Sequence, residues 1–211
     1  MNNDKQEREG RAGIRSFICI EIPLSIQGRI EELQRRLRPI GADVSWVKTS
    51  NIHLTLKFLG DVAQSQVTTV KKVLSDACKG HAPIDLKIGD TGAFPSLRNP
   101  RVLWVGVPEL PETLLLLHRG IEDLLEKEGF PGESKPFSPH LTMGRIRSPR
   151  KVASLADALS REELVPESFQ ANRVILMRSQ LSPGGSIYTP LAVVPLIGAE
   201  QEGEGIEPTE D

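Results

Sequence analysis

The sequence predicts an α+β fold of two pseudo-symmetric lobes, each a mostly antiparallel sheet backed by helices, with a central cleft between them. Three observations predict it: an internal repeat, a helical stripe after a proline in each half, and a His-Leu-Thr strand at the same place in each half. The first half opens with Phe17-Ile18-Cys19-Ile20-Glu21-Ile22 before Pro23, and the second with Val102-Leu103-Trp104-Val105-Gly106-Val107 before Pro108. Both runs are β-favouring and too short for helices, and each stops at a proline that cannot continue a hydrogen-bonded ladder.

The remaining elements follow in the same order in both halves. After Pro23, Ile26, Ile30, Leu33 and Leu37 recur at the spacing of an amphipathic helix, and after Pro108 so do Leu114, Leu117, Ile121, Leu124 and Leu125. A turn-rich stretch and a His-Leu-Thr strand come next, 30 residues from Pro23 to His53 and 32 from Pro108 to His140. Downstream, Val67, Val70, Leu74 and Ala77 predict a helix and Ile84 to Ile88 a strand. Val152, Leu155 and Leu159, then strands around Phe169 and Val174 to Met177, answer them in the second half. A last strand near Ile187 to Ile197 has no counterpart and is expected to complete one sheet. Proline and glycine near Pro95 to Pro100 mark the crossover between halves. A duplicated fold sets equivalent residues facing each other across its axis, and here those residues are histidines.

A chain of 211 residues can bury a core without disulfides or structural metals. Cys19 and Cys78 are far apart in apolar-periodic segments and read as buried free thiols. The polar start is unlike a signal peptide, and no run approaches the roughly 18–20 apolar residues of a membrane span. A cytoplasmic protein with no membrane partner is therefore expected. The formal net charge of −2 becomes +4 once the six acidic residues of 198–211 are set aside. That body suits a phosphate-bearing ligand but is too weakly basic to coat nucleic acid. Residues 1–13 and 198–211 are expected to be disordered extensions of a bilobal domain over 14–197. A monomer is expected, because the two repeats satisfy each other.

Chemistry concentrates in Asn51-Ile52-His53-Leu54-Thr55-Leu56-Lys57-Phe58 and Ser138-Pro139-His140-Leu141-Thr142-Met143-Gly144-Arg145. Side chains alternate faces along a strand, so His53 and Thr55 share one face and His140 and Thr142 another, with the leucines, Met143 and Phe58 turned to the core. One His-x-Thr is a weak signal; two at equivalent places of a repeat are specific. Two imidazoles and two hydroxyls converging on one cleft suit in-line phosphoester hydrolysis, one imidazole taking a proton from water and the other protonating the departing oxygen. Lys57, by the same alternation, is either a cation at the cleft mouth or a solvated strand residue. Arg145, at an odd spacing from His140, faces away unless the strand bulges near Gly144, and otherwise serves as a surface or interlobe ion-pair residue. Phe17 reads as a core strand residue or, with Tyr188, as a platform for a base. Trp46 and Trp104 read as core, His81 as a turn residue, and His118 as a surface or boundary helix residue. A catalytic zinc usually takes three protein ligands, and neither motif has a carboxylate or thiol beside it, so no metal is expected.

The paired His53-Leu54-Thr55-Leu56 and His140-Leu141-Thr142-Met143 resemble the twin motifs of the 2H phosphoesterase superfamily. With Phe17-Ile18, Trp46-Val47, the run from His53 to Gly60, Val102-Leu103-Trp104, Pro139-His140-Leu141-Thr142 and Gly185-x-x-Tyr188, the chain from about Ile14 to Ile197 resembles bacterial RNA 2′,3′-cyclic phosphodiesterases, also called 2′,5′-RNA ligases. The resemblance implies metal-independent opening of 2′,3′-cyclic phosphates on RNA or oligonucleotide ends to 2′-phosphomonoesters, with no cofactor. It implies His53 as proton donor, His140 as proton acceptor, and Thr55, Thr142 and Arg145 as phosphate contacts. Reversible joining or cleavage of 2′–5′ linkages, and a non-catalytic module that binds RNA ends, are the alternative functions; a binder would keep its affinity on His53→Ala and have no activity to lose.

Overall fold

In the first half the proline that ends the opening strand, Pro23, also helps to begin a helix, because its fixed φ suits a helix start and its missing N–H is not needed there. The structure, a computed structural model, describes residues 13–198. Apart from Gly13 and Gly198, the two terminal extensions expected to be disordered lie outside the described residues. Strand β1 (Ile14–Glu21) leads through Pro23 into helix α1 (Leu24–Leu37), which buries Ile26, Ile30, Leu33 and Leu37, the stripe its spacing predicts. Strands β2 (Val44–Trp46) and β3 (His53–Val62), helix α2 (Val67–Cys78) and strand β4 (Ile84–Phe94) complete the first half. The second half repeats the order: β5 (Val102–Gly106), α3 (Glu112–Lys127), β6 (His140–Ile146), α4 (Val152–Ser160), β7 (Glu167–Ala171), β8 (Arg173–Ser182) and β9 (Gly185–Pro195). Helix α3 starts after Pro111 rather than Pro108.

Among the described residues the strands form one curled antiparallel sheet in the order β7-β4-β5-β6-β3-β1-β8-β9, with β2 added beside β6. The pseudo-two-fold axis passes between β3 and β6, which meet at a single pair, Leu54 with Leu141. Each lobe borrows a strand from the other half: β4 pairs with β5, and β8 pairs with β1. The last strand, β9, for which the sequence repeat offers no counterpart, edges one lobe beside β8, as β7 edges the other beside β4. The helices cover one face, where Ile18, Ile20, Leu54, Leu103, Val105 and Leu141 pack with the buried stripes of α1 and α3.

Both motif strands carry a bulge at the same place. Cys19 pairs with Thr55 but Ile18 pairs with Lys57, leaving Leu56 as the extra residue. Trp104 pairs with Thr142 but Leu103 pairs with Gly144, leaving Met143 as the extra residue. An extra residue reverses the alternation of faces beyond it. The bulge at Met143 is bonded by a buried polar side chain from the other half, Gln34 of α1, which donates to the Met143 carbonyl at 2.9 Å.

The bulge corrects two expectations. Lys57 is neither at the cleft mouth nor solvated: it is 2 % exposed on the helix side. Its Nζ donates to Glu122 Oε2 at 2.7 Å and to the Pro131 carbonyl at 3.0 Å. His118 is buried rather than a surface or boundary residue, because its ring stacks on Phe137 at 3.8 Å between centroids. That burial is the main cause pushing its imidazole pKa below the ordinary value. Removing one partner of a buried ion pair strands the other charge, so Lys57→Ala is expected to cost about 3–5 kcal/mol. Lys57→Met combined with Glu122→Leu should recover much of that loss, both values being read from urea denaturation.

Candidate active site

Counting outward from the Leu54–Leu141 pair sets His53 across from Thr142 and Thr55 across from His140, all four on the face opposite the helices. The two histidines are held alike. His53 Nδ1 lies 2.8 Å from the carbonyl of Asn51, and His140 Nδ1 lies 2.7 Å from that of Ser138, each two residues upstream. A carbonyl only accepts, so in the neutral ring Nδ1 carries the hydrogen and Nε2 is left with its lone pair. Asn51 is itself tied down, its side chain donating to the Ser186 carbonyl at 2.7 Å and so linking the β8–β9 hairpin to the support of His53.

Aromatic rings back both imidazoles. Phe17 stacks on His53 at 4.5 Å, and Tyr188 meets His53 edge-on at 5.3 Å and Phe17 at 5.0 Å. Phe94 meets His140 edge-on at 4.8 Å. Phe17 is only 3 % exposed and clusters with Cys19, Ile175 and Met177, which favours its reading as a packed strand residue.

Beyond the bulge at Met143, Arg145 returns to the face of His140 and lines the cleft, so the regular-strand expectation that it faces away is corrected. Phe58 occupies the equivalent place beyond the bulge at Leu56. It is 59 % exposed and lines the cleft instead of entering the core. The tryptophans also depart from the core reading. Trp46 is half-buried at the cleft wall under the Arg38 guanidinium, 5.3 Å from the ring centre. Trp104 is half-buried across from Thr142, lying over Gly92 and Gly106 against Phe94.

The cleft has a volume of about 880 Å³. His53, Thr55, Thr142, Arg145 and Tyr188 line it together with Phe58, Trp46, Asn51 and the hairpin from Ser179 to Ser186; His140, set across from Thr55 by the strand register, is not among its lining residues. Among the described residues four cations line it, Arg15, Lys48, Arg145 and Arg147, and no carboxylate does. Burial pushes both imidazoles below the ordinary histidine pKa. Around His53 the Asn51 carbonyl and the Glu21 carboxylate push back upward; around His140 the Ser138 carbonyl pushes upward and Arg145 pushes further down. Burial also raises the thiol of Cys78 to about 12 and that of Cys19 beyond this, in keeping with inert buried thiols. Among the described residues no three His, Cys, Asp or Glu side chains gather as a metal site requires, and no helix is long and apolar enough to cross a membrane.

Sequence reasoning passed over Arg15, Lys48, Asn51, Phe58 and Arg147. Phe58 had a usable signal, since it aligns with Arg145 when the two motifs are superposed. The others reach the cleft from turns and strand ends, where no periodicity marks a face.

A twice-repeated α+β fold with one His-x-Thr strand per lobe is the class that fold and site define. Comparison with known proteins agrees: the family described as LigT like Phosphoesterase matches residues 20–104 and again 105–188. The chain belongs to that family, and the two matches divide it where the internal repeat does. It is 35% identical over 181 residues to an RNA 2′,3′-cyclic phosphodiesterase of Methanothermobacter thermautotrophicus, covering 85% of this chain and 97% of that one. It is 31% identical over 209 residues to one of Thermus thermophilus, covering 94% and 100%. Among solved structures, that of E. coli LigT complexed with 3′-AMP superposes with a TM-score of 0.71 at 26% identity, covering 87% of this chain and 98% of that one.

The bulge that brings Arg145 to the cleft depends on Gln34, which also donates to the Val47 carbonyl at 2.8 Å. Gln34→Leu, close in volume, leaves both buried carbonyls short of that donor. A loss of about 1–3 kcal/mol is expected, measured by urea denaturation.

Proposed function

We propose that this protein hydrolyses the 2′,3′-cyclic phosphate at an RNA or oligonucleotide end to a 2′-phosphomonoester without a metal, His53 acting as proton donor and His140 as proton acceptor. The observation that carries the reading is the matched presentation of two imidazoles, each with Nδ1 bonded to the carbonyl two residues upstream and Nε2 free for proton transfer. The printed names of the relatives, RNA 2′,3′-cyclic phosphodiesterases, support the same substrate class.

In this reaction His140 takes a proton from water as the water oxygen bonds to phosphorus. The bond from phosphorus to the 3′ oxygen breaks, and His53 protonates that oxygen. Each transfer is typically worth about 10²–10⁴-fold. Thr55, Thr142 and Arg145 hold the non-bridging oxygens, where hydroxyl and guanidinium donors stabilise charge as it builds. The cations lining the cleft attract the anionic end. Tyr188 and the exposed ring of Phe58 are the aromatic faces assigned to the base; Phe17 supports His53 from behind. The protein is proposed to act as a cytoplasmic monomer.

The test is an RNA oligonucleotide ending in 2′,3′-cyclic phosphate, incubated with the protein in EDTA. A 2′-phosphate product is expected, with kcat lowered about 10²–10⁴-fold in His53→Ala and in His140→Ala. Turnover that appears only on adding a divalent metal would overturn the mechanism, and end-binding without turnover under any condition would leave a binding module.

The pH profile follows from the roles. The reactive free protein has His53 charged and His140 neutral, and burial lowers both pKa values below 6.5. The kcat/KM optimum is therefore expected on the acid side of that value. Bound anionic phosphate favours the imidazolium of His53, so the alkaline limb of kcat should lie at higher pH than that of kcat/KM. Steady-state rates across a pH series check both statements.

A further inference from the structure

Around the histidines the lobes repeat each other residue for residue, which makes each departure from the repeat informative. Glu21, Ile20 and Cys19 pair with His53, Leu54 and Thr55; Gly106, Val105 and Trp104 pair with His140, Leu141 and Thr142. A carboxylate thus stands across from His53 where a glycine stands across from His140. Beyond the bulges the equivalent residues are Phe58 beside the first motif and Arg145 beside the second. Both differences act in one direction, placing negative charge near His53 and positive charge near His140. The glycine is enforced, since a Cβ at Gly106 would come within 2.9 Å of the Trp104 ring. The carboxylate is anchored: Arg173 of β8 donates to Glu21 Oε2 at 2.9 Å. The carbonyl bonds of the two imidazoles, at 2.8 and 2.7 Å, do not distinguish them.

We infer that Glu21, held by Arg173, is a positioning residue that favours the proton on His53 and so makes His53 the acid of the pair; the inference rests on the proposed function. The two histidines receive the same local geometry from the duplication, and the charge across the strand separates their roles. The titratable and charged groups around His53 are Glu21 and Cys19 on β1, Arg173 of β8 bonded to Glu21, Tyr188 on β9 and, lining the same cleft, Arg15, Lys48, Arg145 and Arg147. Burial keeps the Cys19 thiol protonated, which leaves Glu21 as the anion of the set. His140 has Arg145 on its own strand and the uncharged Phe94, Gly106 and Trp104 on β4 and β5. The upward push of Glu21 on His53 and the downward push of Arg145 on His140 agree with this assignment. Glu21 is partly exposed, so solvent weakens its effect without abolishing it.

Two readouts on Glu21→Gln test the inference, with Glu109→Gln, from an exposed ion pair elsewhere, as control. Removing the carboxylate disfavours the imidazolium. NMR titration of the His53 ring should therefore give a pKa lower by about half a unit, with that of His140 unchanged. The alkaline limb of kcat/KM should move to lower pH by the same amount, leaving the variant about threefold slower there and unchanged on the acid limb. High salt should bring the wild-type profile toward that of the variant, because exposed charges are screened. An unchanged His53 titration in Glu21→Gln, or an equal displacement of both limbs, would overturn the inference. A wild-type protein without turnover whose His53 titration still responds to Glu21→Gln would count against the proposed reaction while leaving the Glu21–His53 coupling standing.

Discussion

The site depends on one main-chain pairing, Leu54 with Leu141, where the central strands of the two lobes meet. Both leucines are fully buried against the helices, so neither strand can slide without turning an apolar side chain out of the core. That register sets each histidine across from the threonine of the other motif. A single pairing is a narrow joint, and the exchange of β4 and β8 between the halves reinforces it. Each lobe is completed by a strand of the other half, so the two halves of the chain cannot separate without breaking the β1–β8 and β4–β5 ladders as well.

The bulges at Leu56 and Met143 then decide what surrounds the histidines. Both rephase their strand, but the rephased residues differ in kind. Lys57 turns into the helix layer and ties β3 to α3 through Glu122 and to the stretch between α3 and β6 through the Pro131 carbonyl. Its equivalent, Gly144, has no side chain to place. A Cβ there would come within 2.8 Å of Val44 and 3.1 Å of Trp46, so the glycine is what lets β2 pair with β6. In each half the stretch before the motif is thus fastened to the other half's motif strand, once by a short strand and once by the bond from Lys57 to the Pro131 carbonyl. Gln34, from the first long helix, serves the bulge at Met143 itself.

This explains which parts of the molecule were legible in the sequence. The repeat, the helices and the His-x-Thr strands were readable because each follows from a local period, 3.6 or 2, imposed by one buried face. The bulges were not readable, because an extra residue is defined by its partner strand, many residues away. Lys57, Phe58 and Arg145 all lie beyond a bulge, and simple alternation assigns all three the wrong face. His118 was misplaced for a related reason: its burial depends on Phe137, which belongs to a loop without periodicity. Trp46 and Trp104 show a further limit, since apolar size argues for burial but not for which side of a sheet provides it.

Composition was a poor guide to electrostatics for a similar reason. A body charge of +4 over some 180 residues is small, yet among the described residues the cleft is lined by Arg15, Lys48, Arg145 and Arg147 with no carboxylate among them. The acidic residues are spent elsewhere. Glu32 and Glu162 pair with arginines of α1, Glu167 with Arg29, and Glu122 with Lys57 beneath the sheet. The surface pairs among these add little stability, but all of them occupy carboxylates away from the cleft and leave its cations facing one space. A field able to attract an anion therefore arises from placement rather than excess. It also explains why so weakly charged a chain can present a phosphate-sized target without the basic surface of a protein that coats nucleic acid.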